Sequence, residues 1–173
     1  MRGRNAAAPT DGLRNVPLPE QDHLMATLEH GIRLFRPAVY GVLMRGQEVL
    51  LVRSPPTAKI SANVVGFPGG GIEPGEAPLD ALCREFAEET GMEVEPVRLL
   101  WATTGFHRSL ANPHLQLVGM HWEVRYLSGS LRPNGNGDDV AEAFFCPIHK
   151  LPVEDMLGVD REVVPLLLSL SRP

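Results

Sequence analysis

The chain is 173 residues long, 43% of them hydrophobic, with a formal net charge of −5. That length and apolar content suffice for one globular domain with a real core. The negative balance argues against a general nucleic-acid partner, whose backbone contacts need a basic surface, and no apolar run approaches the roughly 18 residues of a membrane span.

Residues 1–22 are rich in Ala, Pro, Asn and Gly without a period, and read as a flexible arm ahead of a single domain over 23–173. Arg2 and Arg4 have no apolar stretch behind them, so no secretory signal is read. Cys83 and Cys146 lie far apart inside apolar patterns; they read as reduced thiols of a cytoplasmic protein. A short amphipathic turn is expected near residues 24–28.

Residues 31–35 read as an edge strand that Pro37 interrupts. Residues 38–44 and 48–52 are apolar on both faces, as central strands are, and Arg45-Gly46-Gln47 reads as the tight turn between them. Residues 54–62 are a Pro-containing loop. Arg53 at the strand end and Lys59 in the loop are either ordinary solvated cations or contacts to a substrate phosphate.

Residues 69–92, GGGIEPGEAPLDALCREFAEETGM, organise the chain. Pro78 suits the first helical position and Gly91 the left-handed position beyond the last turn. Leu79, Leu82, Cys83 and Phe86 form an apolar stripe at i, i+3, i+4 and i+7. Glu85, Glu88 and Glu89 converge on a second face. They repel at i, i+3 and i, i+4, and the last two crowd a helix C-terminus that favours cations. Carboxylates arranged against local rules in this way are suited to Mg²⁺ or Mn²⁺. Arg84 is placed to orient Glu88 or Glu76, and Glu76 lies by the helix N-terminus.

Downstream, residues 94–103 and 114–126 read as strands. In the second, Val118, Met120, Trp122, Val124 and Tyr126 alternate with Gly119, His121, Glu123 and Arg125. His107, His114 and His121, spaced by seven, fit no common ligand spacing and read as loop or strand surface. Between the strands, Phe106 and Arg108 offer an aromatic for a base and a cation for phosphate. Residues 128–139 read as a mobile Gly/Asn-rich loop, 141–147 as a strand, and 160–170 as a closing helix with Val163, Leu166, Leu167 and Leu170 on one face. The alternation suggests helices packed on a mixed sheet.

Gly70, then Glu76, then Arg84-Glu85-Phe86-Ala87-Glu88-Glu89-Thr90-Gly91-Met92 match the Nudix box at every defined position, so the chain resembles the Nudix hydrolases. The likeness is specific over residues 70–92 and looser from about 35 to 151. It implies an α/β/α sandwich with a mixed sheet and a catalytic loop-helix-loop. It also implies hydrolysis of a nucleoside diphosphate linked to another group. By the family pattern Glu85, Glu88 and Glu89 would be metal ligands, with the carbonyl of Gly69 an extra one; Glu76, by the helix N-terminus where a carboxylate is favoured, is placed to brace the loop of the box. Val65 stands where many relatives have tryptophan. The general base stays open between Glu88 and an acid after the box, with Glu142 placed ahead of Asp138 and Asp139. A nucleoside triphosphate, including oxidised ones, is the substrate expected first. An ADP-ribose-like nucleotide sugar would need a second pocket, often built across a homodimer, and no second motif marks one. A nucleotide sensor that lost turnover is the non-enzymatic alternative, and no carboxylate of the box is lost.

Overall fold

The computed structural model describes residues 31, 34–58, 62–110 and 112–171. The expected arm, the turn near 24–28 and Lys59 lie outside the described residues. Aliphatic residues dominate the two longest central runs, and both become strands buried on two faces. Strand β1 (Leu34–Arg45) is buried from Ala38 to Leu43, and β2 (Glu48–Arg53) from Val49 to Val52. They join through the expected turn, where Gly46 takes a φ of 61°, a left-handed angle that glycine adopts without a Cβ penalty. The two strands pair only at Met44–Val49 and Arg45–Glu48 before diverging.

Beyond that point β1 runs parallel to β7 (Leu115–Gly129) and antiparallel to β4 (Gly69–Gly71). Strand β2 pairs with β3 (Val65–Gly66) and β8 (Glu142–Pro147). Strand β5 (Met92–Ala102) and β6 (His107–Arg108) pair antiparallel with β7. The spine of this mixed sheet is therefore β3-β2-β1-β7-β5. Helix α1 (Pro78–Thr90) covers one face through Leu82 and Phe86 against Val39, Leu43 and Leu50. Helices α2 (Gly158–Arg161) and α3 (Val164–Leu170) cover the other, where Val159, Val163 and Leu167 meet Tyr40, Leu51 and Phe67. The result is the α/β/α sandwich.

Four local expectations need correction. Pro37 does not interrupt a strand: β1 runs through it opposite Val118, and its carbonyl accepts from the Ile72 N–H at 3.1 Å. The buried face of α1 is Ala81, Leu82, Phe86, Glu89 and Thr90; Leu79 is exposed and Cys83 only half-buried. The closing helix is split into α2 and α3, because Pro165 lacks a donor and suits the first turn of a new helix; Leu170 ends exposed. The presumed polar face of β7 carries His121, which is 0% exposed, while Val118 on the presumed core face is open to solvent.

Candidate active site

Helix α1 ends as its punctuation predicts. Pro78 occupies its first turn, and Gly91 at φ 76° donates its N–H to the Ala87 carbonyl. Its packing is set by a missing side chain: a Cβ on Gly41 would lie 2.6 Å from the Phe86 ring. That close approach turns Glu89 inward to 7% exposure, where its carboxylate accepts the Gly69 N–H at 2.8 Å. Gly69 is forced by contact as well, since a Cβ there would lie 2.1 Å from the Val39 carbonyl oxygen. Burial raises the Glu89 pKa to about 8; the Gly69 hydrogen bond opposes this, and the charges of Asp139, Glu85 and Asp160 add to it.

Arg84 organises the neighbouring acids. It grips Glu76 through Nε at 2.8 Å and Nη2 at 3.0 Å, and its Nη1 reaches Glu85 at 2.9 Å and Glu88 at 3.3 Å. The hydrogen bonds from Arg84 hold the Glu76 carboxyl down to about 2. Glu76 also accepts the Glu73 N–H, closing the turn before α1. The Glu85 carboxyl fills the space where a Gly70 side chain would stand.

Among the described residues no three His, Cys, Asp or Glu side chains stand ready as a metal cage. Arg84 draws Glu85 and Glu88 to itself, while Glu89 rests on Gly69, an arrangement that relieves carboxylate repulsion when no cation is present. The donor set nevertheless fits a hard divalent cation. It offers only oxygen, and the buried Glu89 has no cationic partner among the described residues.

Glu89 opens into a cavity of about 120 Å³ lined also by Tyr40, Gly69, Asp139 and Leu157. Those four residues also line an adjoining hollow of about 250 Å³ that adds Arg36, Gly71 and Ser109. Through Leu110, Leu117 and Leu157 the hollow continues into a cleft of about 460 Å³ bordered by His107, Arg108 and Arg161. A groove thus leads away from the carboxylates. Asp139, ranked behind Glu142 on sequence, shares the cavity with Glu89. Glu142 does not line it: it sits at the start of β8, paired with Arg53 at 3.2 Å. Arg53 also donates to the Asn63 carbonyl and lies over the Phe144 ring. Arg108 reaches the large cleft, with its guanidinium 5.5 Å from the centroid of the exposed Phe106 ring.

Sequence reasoning missed two polar centres beneath this groove. His121 Nε2 and Asp160 Oδ1 lie 2.6 Å apart, both fully buried, with His121 stacked on Tyr40 and edge-on to Phe67. Burial pushes the Asp160 carboxyl up, against the hydrogen bond and charge of His121 and the Phe67 N–H. Glu162 accepts from the Trp101 indole, the Thr104 N–H and hydroxyl, and the Gly105 N–H, and it also contacts His107. Burial alone would raise its carboxyl, but these donors together hold it well below the usual range. Neither partnership is visible in sequence, since the pairs are 39 and more than 50 residues apart. Arg36 and Tyr40 were also missed. The only available signal was a phenol in the otherwise aliphatic run AVYGVL.

The family profile of the NUDIX domain matches residues 34–167. The chain belongs to the NUDIX domain family. It is 30% identical over 134 residues to the NAD-capped RNA hydrolase NudC of Pseudomonas fluorescens, a match covering 78% of this chain and 43% of that protein. The chain thus spans less than half the length of that relative. The MutT NUDIX hydrolase of Burkholderia pseudomallei superposes with a TM-score of 0.65 at 23% identity, covering 77% of this chain and 98% of that one. An ADP-ribose pyrophosphatase from Streptococcus suis gives 0.55 at 21%, covering 80% and 92%. The two superpositions share the NUDIX fold. No helix of the described residues is long and apolar enough to cross a membrane.

Proposed function

We propose that this NUDIX chain is a divalent-metal-dependent pyrophosphohydrolase acting on a nucleoside diphosphate linked to a second group. The observation that carries the reading is Glu89, a buried carboxylate presented by the box helix to a cavity that opens into a long groove. Glu85, Glu88, Glu89 and the Gly69 carbonyl would hold Mg²⁺ or Mn²⁺. When bound, the cation polarises phosphoryl oxygens and lowers the pKa of a coordinated water.

The remaining work falls to the chain itself. Arg84, clamped on Glu76, holds the turn before α1 and gathers Glu85, which faces Gly70, and Glu88 around one guanidinium. Asp139, in the same cavity as Glu89, is a carboxylate positioned to take a proton from an attacking water, and Glu88 is the other acceptor. Glu142 is engaged by Arg53 outside the cavity.

The groove bears on the substrate. A triphosphate needs space for one nucleoside, whereas a cavity and a 250 Å³ hollow running on into a 460 Å³ cleft suit a diphosphate with a bulky group on each side. That favours a dinucleotide or nucleotide sugar over the triphosphate expected from sequence. NAD-capped RNA, named for the relative, carries such a diphosphate at its end, and recognising that end requires no basic surface for the RNA backbone.

The test is a panel of NAD, ADP-ribose, dinucleoside polyphosphates and nucleoside triphosphates, with and without Mg²⁺. Products are resolved by anion-exchange chromatography and release of the mononucleotide is read. Cation-dependent release from the two-headed diphosphates above the triphosphates is expected. Binding of these compounds with no release from any would leave the sensor reading standing instead.

A further inference from the structure

We propose that Arg36 and the hydroxyl of Tyr40 form a phosphate-recognition subsite on the face of β4 opposite the Glu85 carboxylate. Three glycines, Gly69 to Gly71, make up β4. Successive strand residues point to opposite faces. The side-chain space of Gly70 is filled by the Glu85 carboxyl, at 2.7–2.8 Å from a built Cβ, and that of Gly71 by the Arg36 guanidinium, at 2.6–2.8 Å. A strand without side chains therefore stands between the Glu85 carboxylate and the guanidinium. An anion crossing its edge meets both.

Arg36 is the only Lys or Arg among the residues lining the 250 Å³ hollow. It forms no ion pair or hydrogen bond among the described residues, although Asp139 lines the same hollow. Most exposed arginines extend into solvent; this one folds over the Gly71 backbone beside the groove. Tyr40 is 6% exposed, lines both the hollow and the Glu89 cavity, and its hydroxyl has no partner among the described residues. Two donors without a protein partner among the described residues thus line one small space next to Glu89. A planar fork and a hydroxyl suit the oxygens of a phosphoryl group. The subsite rests on the hydrolase reading. There a diphosphate has one phosphoryl group facing the glutamates, and its neighbour needs a counter-charge from the protein.

The probe is α,β-methylene-ADP, which resists cleavage, titrated calorimetrically with Mg²⁺ present at low salt. Arg36→Gln should weaken binding by about 10- to 100-fold, the size of charged hydrogen bonds to phosphate. Arg36→Lys should fall between Arg36→Gln and wild type, because a point charge survives without the fork. Tyr40→Phe should lose about three- to tenfold. The ligand-free thermal midpoint of Arg36→Gln should match wild type, since the side chain is exposed and unpartnered. Binding by Arg36→Gln within twofold of wild type overturns the proposal, as does failure of the wild type to bind the probe. The two readings fail separately. A wild type that binds the probe through Arg36 yet turns over nothing defeats the hydrolase. One that turns over while Arg36→Gln binds normally defeats the subsite.

Discussion

Glu89→Gln separates charge from shape at the most buried acid of the box. Burial raises the Glu89 pKa from 4.5 to about 8, with nearby carboxylates adding to it against the Gly69 hydrogen bond. Between those values the folded chain holds a proton that the unfolded chain has released. The contribution of Glu89 to stability is therefore fully present below about pH 4.5 and is lost as pH rises through about 8. The loss runs at about 1.4 kcal/mol per pH unit, or about 3–5 kcal/mol over the window. For a domain of this size that is a fall of about 4 °C in thermal midpoint per pH unit. Gln keeps an acceptor for the Gly69 N–H and never ionises. In EDTA the variant should melt near wild type at pH 5 and roughly 10 °C above it at pH 8.5. Subtracting the two curves removes common contributions such as that of Asp160. With Mg²⁺ at ten times its Kd, wild type should gain about 1.4 kcal/mol and the variant much less, and turnover of the variant should fall about 100-fold. Parallel pH curves for the two proteins would refute the desolvation of Glu89.

Glu85→Gln should shrink the Mg²⁺-induced rise in midpoint, read by the same melts, without lowering the midpoint in EDTA. Asp139→Asn should reduce kcat about 10- to 100-fold, while Glu142→Gln, an exposed partner of Arg53, should stay within about threefold; the reverse pattern would move the base to Glu142. Gly41→Ala should cost about 1–3 kcal/mol in urea unfolding, because its Cβ would meet the Phe86 ring at 2.6 Å. An unchanged midpoint would show that α1 does not rest there.

The parts of the fold legible in sequence were those with local punctuation. Pro78 and Gly91 end α1 where expected, Gly46 makes the turn, and uninterrupted aliphatic runs mark the doubly covered strands. What stayed hidden depends on who packs against whom. Periodicity chose Leu79 and Cys83 for the buried face of α1. Phe86 seats instead against Gly41, in strand β1 far earlier in the chain, and Ala81 and Glu89 lie on the inward side with it. Alternation along β7 likewise set His121 on the polar side, because nothing local announces that Asp160 will meet it in the core. The acids of the box and the reach of Arg84 to Glu76 and Glu88 were legible, but its hold on Glu85 and the turn of Glu89 onto the Gly69 N–H were not.

Attack of water on phosphorus at the box is tested most directly by turnover of the best substrate in H₂¹⁸O. One ¹⁸O is expected in a single phosphate-bearing product, detected by mass spectrometry, with label and product both absent in EDTA. Product formation unaffected by EDTA, or label on a sugar carbon rather than on phosphate, would contradict it.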